Sequence, residues 1–574
     1  MTTPGDVQIH RIVRNEERPP QLNKISSKLT QDKSHVAAHA MFYAVGFNEE
    51  DMNKPQIGIS PVWWEGNACN MHLLDLGKEV KKGCEAAGLV GLLFNTIGIS
   101  DAITMGTTGM RYSLPSRDLI ADSIEAVIGQ FYDGNISLPG CDKNMPGCLM
   151  AAARHNRPTI IVYGGTIQAG VRQLDCEPMG FKAGDPVNIG QSFETWGAFA
   201  TGRITDEQCQ DVAKHACPGP GACGGMFTAN TMSSILEVMG ISLPYSATTP
   251  AVYSQKIEEC HKAGEYMKIL LAKDIKPRDI LTRKAFENAI TITNILGGST
   301  NAVLHLLAMA RAADIDLNID DSKPSDVHNA GGIPALLKYL IEHPTHSHLI
   351  YADGITVTGK TMRENLEGVK PLSFGEGQQQ VIRPIENPIK DTGHLTILRG
   401  NLCPGSAVAK LTGKEGLRFE GVAKCFDTEE DFYPALERGE IKPGSAVIFR
   451  YQGPKGGPGM PEVSPTGAIM GAGLGNTTCL ITDGRFSGAS RGFIIGHVVP
   501  EALLGGPIAL VQDGDQITVD AQSRSITWHV SPEVAAERKK AWDGRNKNEL
   551  KVRRGILYRY ARDVAPASEG AYCD

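Results

Sequence analysis

The sequence lacks any hydrophobic run long enough to cross a membrane. Its most apolar stretch, Cys84 to Phe94, is far shorter than the roughly 20 residues that a membrane-spanning helix needs. It also lacks a surplus of positive charge, because 57 Lys and Arg stand against 64 Asp and Glu and give a net charge of −7. Without a basic segment, the chain has no electrostatic footprint for nucleic acid. We therefore expect neither a membrane nor a nucleic acid among its partners.

The 13 cysteines include no C-x2-C pair, which argues against a zinc ribbon or a ferredoxin-type cluster. Their number is odd and the chain does not look secretory, so a disulfide framework is not expected either. The first residues, Met1 to Asn23, lack the apolar core of a signal peptide and the Arg- and Ser-rich composition of an organelle presequence. On this basis we expect a mitochondrial or cytoplasmic location.

Residues 1–380 alternate between helical and strand-like patterns. Leu119 to Gln130 has apolar residues at helical spacing, and Pro158 to Val162 is a β-branched run of the kind found in buried strands. Helices are also predicted at Phe286 to Leu296 and at Thr300 to Ala312, around the Gly297-Gly298 break. Strands that alternate with helices favour an N-terminal α/β/α domain with a mostly parallel sheet.

Residues 381–574 have a different character, after a polar stretch at Gln378 to Thr392 that is typical of a linker. Two helices are predicted there, at Glu429 to Arg438 and at Pro532 to Asp543. The expected fold is a second, β-rich domain with a barrel-like core, separate from the first domain. The predicted strands are His394 to Leu398, Ser445 to Arg450, Thr478 to Thr482, Ile508 to Gln512, Gln516 to Asp520 and Ser525 to Val530.

One motif points to a nucleotide-binding protein. Gly354 to Thr361 matches the P-loop pattern G-x4-G-K-[ST], which is a hypothesis until its structural context confirms it. The residues inside the pattern, Ile-Thr-Val-Thr, have the composition of a strand, whereas a phosphate cradle is a compact loop with inward-facing N–H groups. An NTPase is therefore kept only as an alternative.

Three cysteines and three carboxylates lie in Gly-rich or polar loops rather than in apolar segments. Cys69, Cys141 and Cys223 are candidate ligands, since a structural cysteine prefers the core. Asp101, Asp142 and Glu462 are the kind of oxygen donors that Mg²⁺ prefers, although each alone would be ordinary in a turn. The cysteines in apolar or helical segments, which we expect in the core, are Cys84, Cys148, Cys209, Cys260 and Cys479.

Taken together, these loops resemble those of the dihydroxy-acid dehydratase / phosphogluconate dehydratase family. Their sequences are most similar to those of fungal and other eukaryotic-type members. The similarity runs from about residue 22 to the end of the chain. It is carried, in the order of the family, by six motifs: Gly66-Asn67-x-Cys69-Asn70-Met71-His72-Leu73, Cys141-Asp142-Lys143-Asn144-Met145-Pro146-Gly147, Cys217-Pro218-Gly219-Pro220-Gly221-x-Cys223-Gly224-Gly225-Met226, Gly297-Gly298-Ser299-Thr300-Asn301, Lys455-Gly456-Gly457-Pro458-Gly459-Met460-Pro461-Glu462 and Thr482-Asp483-Gly484-Arg485-Phe486-Ser487-Gly488.

The resemblance implies a hydro-lyase of branched-chain amino-acid biosynthesis that converts 2,3-dihydroxy-3-methylbutanoate, and its methylpentanoate homologue, to the 2-keto acid. It implies a homodimer with the active site between the two domains. Cys69, Cys141 and Cys223 would hold a [2Fe-2S] cluster, with Cys217 left open as the alternative third ligand. Asp101, Asp142 and Glu462 would hold Mg²⁺, Lys143 would be carboxylated by CO₂ to an anionic ligand, and Ser487 would be the catalytic base.

The sequence departs from the family pattern at three places near these motifs. They are Cys403-Pro404-Gly405-Ser406, Val463-Ser464-Pro465 after Glu462, and Ser487-Gly488-Ala489-Ser490-Arg491-Gly492. None removes an implied ligand, but all lie near segments that we expect to shape the mouth of the site. Two alternatives therefore remain beside the biosynthetic enzyme: a specialised duplicate that resists a natural inhibitor, and a sugar-acid dehydratase.

Overall fold

The protein is built around two β-sheets, one from each half of the sequence. The computed structural model describes residues 20–321, 332–375, 382–388, 390, 393–411, 415–488, 490–544 and 549–573. The first sheet contains four parallel strands in the order β2-β1-β3-β4. Its strands, followed by a short antiparallel pair, are β1 (Gln56–Pro61), β2 (Val90–Leu93), β3 (Gly134–Leu138), β4 (Thr159–Ile161), β5 (Gly170–Val171) and β6 (Pro186–Val187).

Helices cover this sheet, and its central strands are buried, as both faces of a parallel sheet usually are. The predicted helices at 119–130, 286–296 and 300–312 and the predicted strand at 158–162 are confirmed. The helices are α1 (Ser27–Thr30), α2 (Val36–Ala44), α3 (Leu73–Ala86), α4 (Asp101–Thr104), α5 (Ser113–Phe131), α6 (Asn144–His155), α7 (Ile189–Ala200), α8 (Asp206–His215), α9 (Thr228–Met239), α10 (Ser254–Lys273), α11 (Pro277–Ile280), α12 (Arg283–Ile295), α13 (Asn301–Ala312), α14 (Gly332–Glu342) and α15 (Met362–Leu366).

The second sheet has eight strands in the order β16-β15-β9-β10-β12-β14-β8-β7. An additional bridge between Arg399 and Ser525 brings its two edge strands together, so the sheet is almost closed into a barrel. The mixed α/β fold with a parallel sheet and a barrel-like second sheet is therefore confirmed. The strands of this half are β7 (Leu395–Leu398), β8 (Ser406–Lys410), β9 (Arg418–Phe426), β10 (Ser445–Phe449), β11 (Glu462–Val463), β12 (Cys479–Thr482), β13 (Arg485–Phe486), β14 (Phe493–Val499), β15 (Gln516–Asp520) and β16 (Ser525–Trp528).

The prediction for the second half was wrong at one segment and incomplete at others. The run Ile508 to Gln512 is not a strand, because Pro507–Leu510 forms a 3₁₀ turn, and a short apolar run does not distinguish a strand from a buried turn. Helices α17 (Pro465–Gly471) and α19 (Gly555–Asp563) were not predicted, whereas α16 (Phe432–Glu437) and α18 (Pro532–Asp543) were. In the predicted linker at 378–392, the described residues 382–388 and 390 form no helix or strand, and the other residues lie outside the described part of the chain.

The parallel sheet directs several polar loops to one edge. The loops that carry Cys69, Asp101 and Cys141 follow β1, β2 and β3, whose carboxyl ends meet at the same edge. Ligands bind open α/β sheets in this position, outside the carboxyl ends of the strands. Across the described part of the chain, no helix combines the length and apolar character needed to cross a bilayer.

Candidate active site

Three carboxylates, two of them buried and one partly buried, meet at this edge of the sheet. Asp101 begins α4, Asp142 lies in the turn between β3 and α6, and Glu462 begins β11. Each contributes an oxygen atom to a group whose members all lie within 4.8 Å of one another, a spacing at which they could hold a metal ion. Side chains from both halves of the sequence thus form one acidic group, which is called the acidic cluster below.

The acidic cluster surrounds the ammonium group of Lys143, which is almost completely buried. The Nζ atom lies 2.5 Å from Oδ2 of Asp101, 3.5 Å from Oδ2 of Asp142 and 3.6 Å from Oε1 of Glu462. A second buried cation, Arg485, donates from Nη1 to Oε1 of Glu462 at 2.8 Å. Buried carboxylates need such partners, because an unpaired charge away from water is strongly destabilising.

The three carboxyl groups respond differently to this environment. Burial raises the pKa of Asp142 to about 7, although the charge of Lys143 opposes the rise. Burial also raises the pKa of Glu462. Burial disfavours ionisation at Asp101 too, but Lys143 and Arg485 together hold its pKa below the usual value. Despite its own burial and the nearby Arg485, Lys143 has a raised pKa because the three carboxylates favour its charged form.

Two further polar side chains orient the cluster, and their roles were not predicted from the sequence. The hydroxyl of Ser113 donates to Oδ1 of Asp101 at 2.5 Å, and the amide of Asn301 donates to Oε1 of Glu462 at 2.6 Å. Asn301 is the first residue of α13, directly after the Gly297–Thr300 segment. The Gly-Gly break before a predicted helix was the available signal for Asn301, whereas nothing in the sequence distinguished Ser113.

The cysteines at positions 69, 141 and 223 also come together. Hydrogen bonding of the Cys69 thiol to Cys141 and Cys223, followed by burial, raises the pKa of Cys69 well above its usual value. Cys141 immediately precedes Asp142, so the thiol group and the acidic cluster share one loop. Cys217 is exposed. The cysteines expected in the core are buried, except Cys209, which is only partly buried.

Asparagine side chains hold the first two cysteine loops against each other. Asn70 donates to Oδ1 of Asn144 at 2.7 Å, and the same oxygen accepts the backbone N–H of Cys141 at 2.7 Å. The side chain of Asn67 accepts the N–H of Cys69 at 3.1 Å. The loops approach so closely that a Cβ atom on Gly140 would lie 2.1 Å from the carbonyl oxygen of Cys69, so only glycine fits there.

Asn230, on the first turn of α9, holds the third cysteine loop. Its amide nitrogen donates to the carbonyl oxygens of Cys223 at 2.6 Å and Gly225 at 2.7 Å. Its Oδ1 atom accepts a hydrogen bond of 2.8 Å from the hydroxyl of Tyr163, which lies just after β4. Both residues are buried. The Cys223 loop is therefore fixed to the end of the parallel sheet through one side chain whose polar groups are all used.

Ser487 follows β13 and lines a small cavity of about 20 Å³. Lys410 donates to the carbonyl oxygen of the next residue, Gly488, at 2.8 Å. A Cβ atom on Gly488 would lie 2.9 Å from the backbone of Phe227 and Thr228, so this turn packs against the segment that follows the Cys223 loop. The other residues lining the cavity are Met105, Gly190, Phe193, Glu194, Ser464, Thr466, Gly467, Met470, Ser490 and Arg491.

The three departures from the family pattern are not equivalent in the structure. Ser464 and Arg491 line the cavity beside Ser487, as expected for residues at the mouth of a site. Cys403 instead lies fully buried among the apolar side chains inside the barrel. The expectation that all three departures shape the mouth is therefore wrong for Cys403, because its strand-to-strand turn points into the core of the barrel.

The P-loop pattern does not form a phosphate cradle. Ile355 pairs with Thr361 in an antiparallel bridge, which closes the segment on itself. The N–H of Thr356 donates to the carbonyl of Lys360, and that of Val357 donates to the carbonyl of Gly240. Because these N–H groups are already used, they are not available to bind a phosphate, and the geometry gives the NTPase alternative no support.

Comparison with known proteins agrees with the arrangement of these loops. The N-terminal profile of the dihydroxy-acid/6-phosphogluconate dehydratases matches residues 54–324, and the C-terminal profile matches residues 380–571. A mitochondrial dihydroxy-acid dehydratase of Schizosaccharomyces pombe is 54% identical over 96% of this chain and 94% of its own length. A dihydroxy-acid dehydratase of Francisella tularensis subsp. novicida is 53% identical over 96% of this chain and 99% of its own.

A mitochondrial dihydroxy-acid dehydratase of Aspergillus terreus is also 53% identical, over 96% of this chain and 93% of its own length. The matches therefore extend through the cysteine loops, the acidic cluster and the turn of Ser487, rather than covering one of the two sheets alone. On this evidence the chain belongs to the dihydroxy-acid/6-phosphogluconate dehydratase family.

Proposed function

We propose that the protein is a dihydroxy-acid dehydratase of branched-chain amino-acid biosynthesis. It removes water from 2,3-dihydroxy-3-methylbutanoate and from its methylpentanoate homologue to give the 2-keto acids. One observation carries the proposal: a buried acidic cluster and three converging thiols meet through the consecutive residues Cys141 and Asp142. The chain is also more than 50% identical to dihydroxy-acid dehydratases. It therefore has the residues that metal-assisted dehydration needs.

The acidic cluster fits Mg²⁺, with Asp101, Asp142 and Glu462 as ligands, and we propose that Lys143 carries CO₂ as a carbamate. Taking all three carboxyls as ionised, the cluster with the Lys143 ammonium and Arg485 has a net charge of −1. With Lys143 as a carbamate, the four anionic groups together with Mg²⁺ and Arg485 also sum to −1. The site therefore carries the same net charge with the ammonium as with the carbamate and the metal. CO₂ adds only to a neutral amine, and therefore we expect the carbamate only together with the metal.

The thiols of Cys69, Cys141 and Cys223 fit a [2Fe-2S] cluster. Thiolates are the ligands of such clusters, and three of them leave one iron position free for a substrate. The raised pKa of Cys69 reflects neighbouring thiols that disfavour its ionisation, and a bound iron cluster would favour the thiolate forms instead. Cys217 is exposed, which favours Cys223 as the third ligand.

In the reaction, the substrate loses the proton on C2 and the hydroxyl on C3, and the resulting enol becomes the 2-keto acid. When bound, Mg²⁺ and the open iron supply Lewis acidity for the carboxylate, the 2-hydroxyl and the departing 3-hydroxyl. The Oγ atom of Ser487 accepts the C2 proton. A serine can do this only as an alkoxide, which nearby positive charge favours. Arg485, two residues before Ser487, is the buried cation of this segment.

The cavity beside Ser487 supports a substrate with an aliphatic branch. Met105, Phe193 and Met470 give it apolar walls, and its polar lining residues besides Ser487 are Glu194, Ser464, Thr466, Ser490 and Arg491. The relatives that match this chain over nearly its whole length are named dihydroxy-acid dehydratases. The sugar-acid alternative is therefore less well supported than the branched-chain substrate.

The remaining proposals concern the whole molecule. We propose a division into residues 1–380 and 381–574, a homodimer, and a mitochondrial location. The location is supported by the names of the fungal relatives, which are given as mitochondrial. The exposed apolar side chains on and beside α2, namely Val36, Met41, Tyr43 and Val45, support a surface that another copy of the chain covers. Solution scattering of the active protein tests the dimer.

The decisive experiment is a keto-acid assay on anaerobically reconstituted protein. We expect turnover of 2,3-dihydroxy-3-methylbutanoate and little or none of 6-phosphogluconate. Glu462→Gln should keep the iron and the visible absorption but lose turnover, because it alters only the acidic cluster. Lys143→Met should lose turnover and also the mass increase that ¹³CO₂ gives the native protein. Turnover of the sugar acid alone would contradict the proposed substrate, and full activity in Lys143→Met would contradict the carbamate.

A further inference from the structure

Three histidines follow α14 within six residues, far from the acidic cluster in sequence. His343, His346 and His348 lie in a short turn that ends in the 3₁₀ segment Ser347–Leu349. The Nδ1 atoms of His343 and His346 face each other at 3.2 Å. Two imidazole nitrogens at this distance must share either a proton in a hydrogen bond or a metal ion, because their lone pairs would otherwise repel each other.

The surroundings of His343 fix which of its nitrogens carries the proton. Its Nε2 atom lies 3.3 Å from a carboxylate oxygen of Glu386, which can only accept, so Nε2 carries the proton. The backbone N–H of Thr345 donates to Nδ1 of His343 at 3.3 Å, which confirms that Nδ1 is an acceptor. The hydroxyl of Tyr339 accepts the N–H of Ile385, and this bond holds Glu386 beside the histidine.

We infer that His343 and His346 form a binding site for a divalent transition-metal ion such as Zn²⁺. Metal-bound nitrogens at about 2.0–2.1 Å stand roughly 2.9–3.4 Å apart for the usual bond angles, and the observed 3.2 Å falls in this range. A histidine that binds metal generally donates its other N–H to a carboxylate, as His343 does to Glu386. Imidazole ligands select Zn²⁺, Cu²⁺ or Ni²⁺ rather than Mg²⁺.

His348 is the candidate third ligand. Its ring centroid lies 6.4 Å from that of His346, nearly parallel to it, and the residue is exposed, so its side chain would have to turn toward the ion. The hydroxyl of Thr345 lies 2.8 Å from Nδ1 of His346 and would have to move for the ion to enter. The site is therefore distinct from the acidic cluster in both position and preferred metal.

The test is equilibrium dialysis of the complete protein against Zn²⁺, with Mg²⁺ present in excess to occupy the acidic cluster. We expect the native protein to bind one more Zn²⁺ than His346→Asn does, and the residual affinity of the variant for that ion to be at least about tenfold lower. His348→Asn should weaken binding by a smaller factor. Zn²⁺ should also raise the melting temperature of the native protein more than that of His346→Asn.

His529→Asn is the matched control, because His529 is an exposed histidine whose Nε2 atom lies 2.8 Å from the hydroxyl of Thr518. It should bind Zn²⁺ as the native protein does. His343→Gln repeats the test from the other ligand, and circular dichroism checks that each variant is folded. Equal Zn²⁺ binding by folded His346→Asn, His343→Gln and the native protein would overturn the inference and leave a proton-sharing histidine pair.

Discussion

Replacing Asn230 by aspartate tests whether one side chain positions the third cysteine. The substitution preserves the shape of the side chain and its acceptor oxygen for Tyr163. It removes the amide N–H groups that donate to the carbonyl oxygens of Cys223 and Gly225. The new carboxyl would therefore place an oxygen 2.6–2.7 Å from each carbonyl oxygen if nothing moved. The loop should shift away from α9.

The expected cost follows from the number of bonds lost. A buried carbonyl group that loses its partner costs about 1–3 kcal/mol, and two are affected here. Even the lower bound, about 2 kcal/mol, corresponds to a roughly thirtyfold change in an equilibrium constant. Because the strain falls on the loop of Cys223, it should appear as weaker retention of the iron–sulfur cluster rather than as global unfolding.

The assay measures iron and sulfide content, visible circular dichroism and the rate at which an iron chelator removes the cluster. We expect Asn230→Asp to lose its cluster at least about thirty times faster than the native protein. Ser233→Ala is the control, since the hydroxyl of Ser233 donates to the backbone carbonyl of Asn230 and not to the loop. It should behave as the native protein does.

The outcomes separate the role of Asn230 from the identity of the ligand. Native-like cluster content and lifetime in Asn230→Asp would refute the positioning role. A full cluster in Cys223→Ser would instead refute the ligand assignment, whatever Asn230 does. Absence of a cluster in reconstituted native protein would contradict the proposed cofactor itself.

Three further predictions concern catalysis, ligands and pH. Ser487→Ala should keep the cluster and substrate binding but lower kcat by about 10²–10⁴-fold and stop exchange of the C2 proton. His72→Asn is the control and should retain that exchange. The opposite pattern would show that Ser487 has only a structural role. Cys217→Ser should keep the visible absorption that Cys223→Ser loses, and the reverse result would exchange their roles. Burial raises the pKa of Glu237 from 4.5 to about 7. The native state therefore holds a proton that the unfolded chain releases, and the stability this gives is present below about pH 4.5 and lost as the pH rises through about 7. Glu237→Gln should not show this loss, so its melting temperature relative to the native protein should rise across that window; parallel pH profiles would contradict the reasoning.

The sequence alone predicted the class of fold, and it named candidate site residues that the structure brings together. Apolar runs of the Pro158–Val162 type predicted buried strands, and the parallel sheet follows from their alternation with helices. The sequence was less informative where the local pattern and the tertiary context favour different structures. The run at 508–512 became a 3₁₀ turn, and α17 has a buried, Gly-containing sequence without a clear polar face. Short segments of this kind take their conformation from the surfaces that cover them.

Only the tertiary structure decided how the functional residues meet. More than 300 residues separate Asp101 from Glu462, yet both contact the Lys143 ammonium, and nothing in their local sequence sets that distance. The roles of Asn230 and Ser113 likewise depend on bonds to distant loops. Local sequence determines helices and strands because their hydrogen bonds and apolar spacing involve near neighbours. The site arises from the packing of both halves of the chain, which fixes where the ends of the strands and the loops come together.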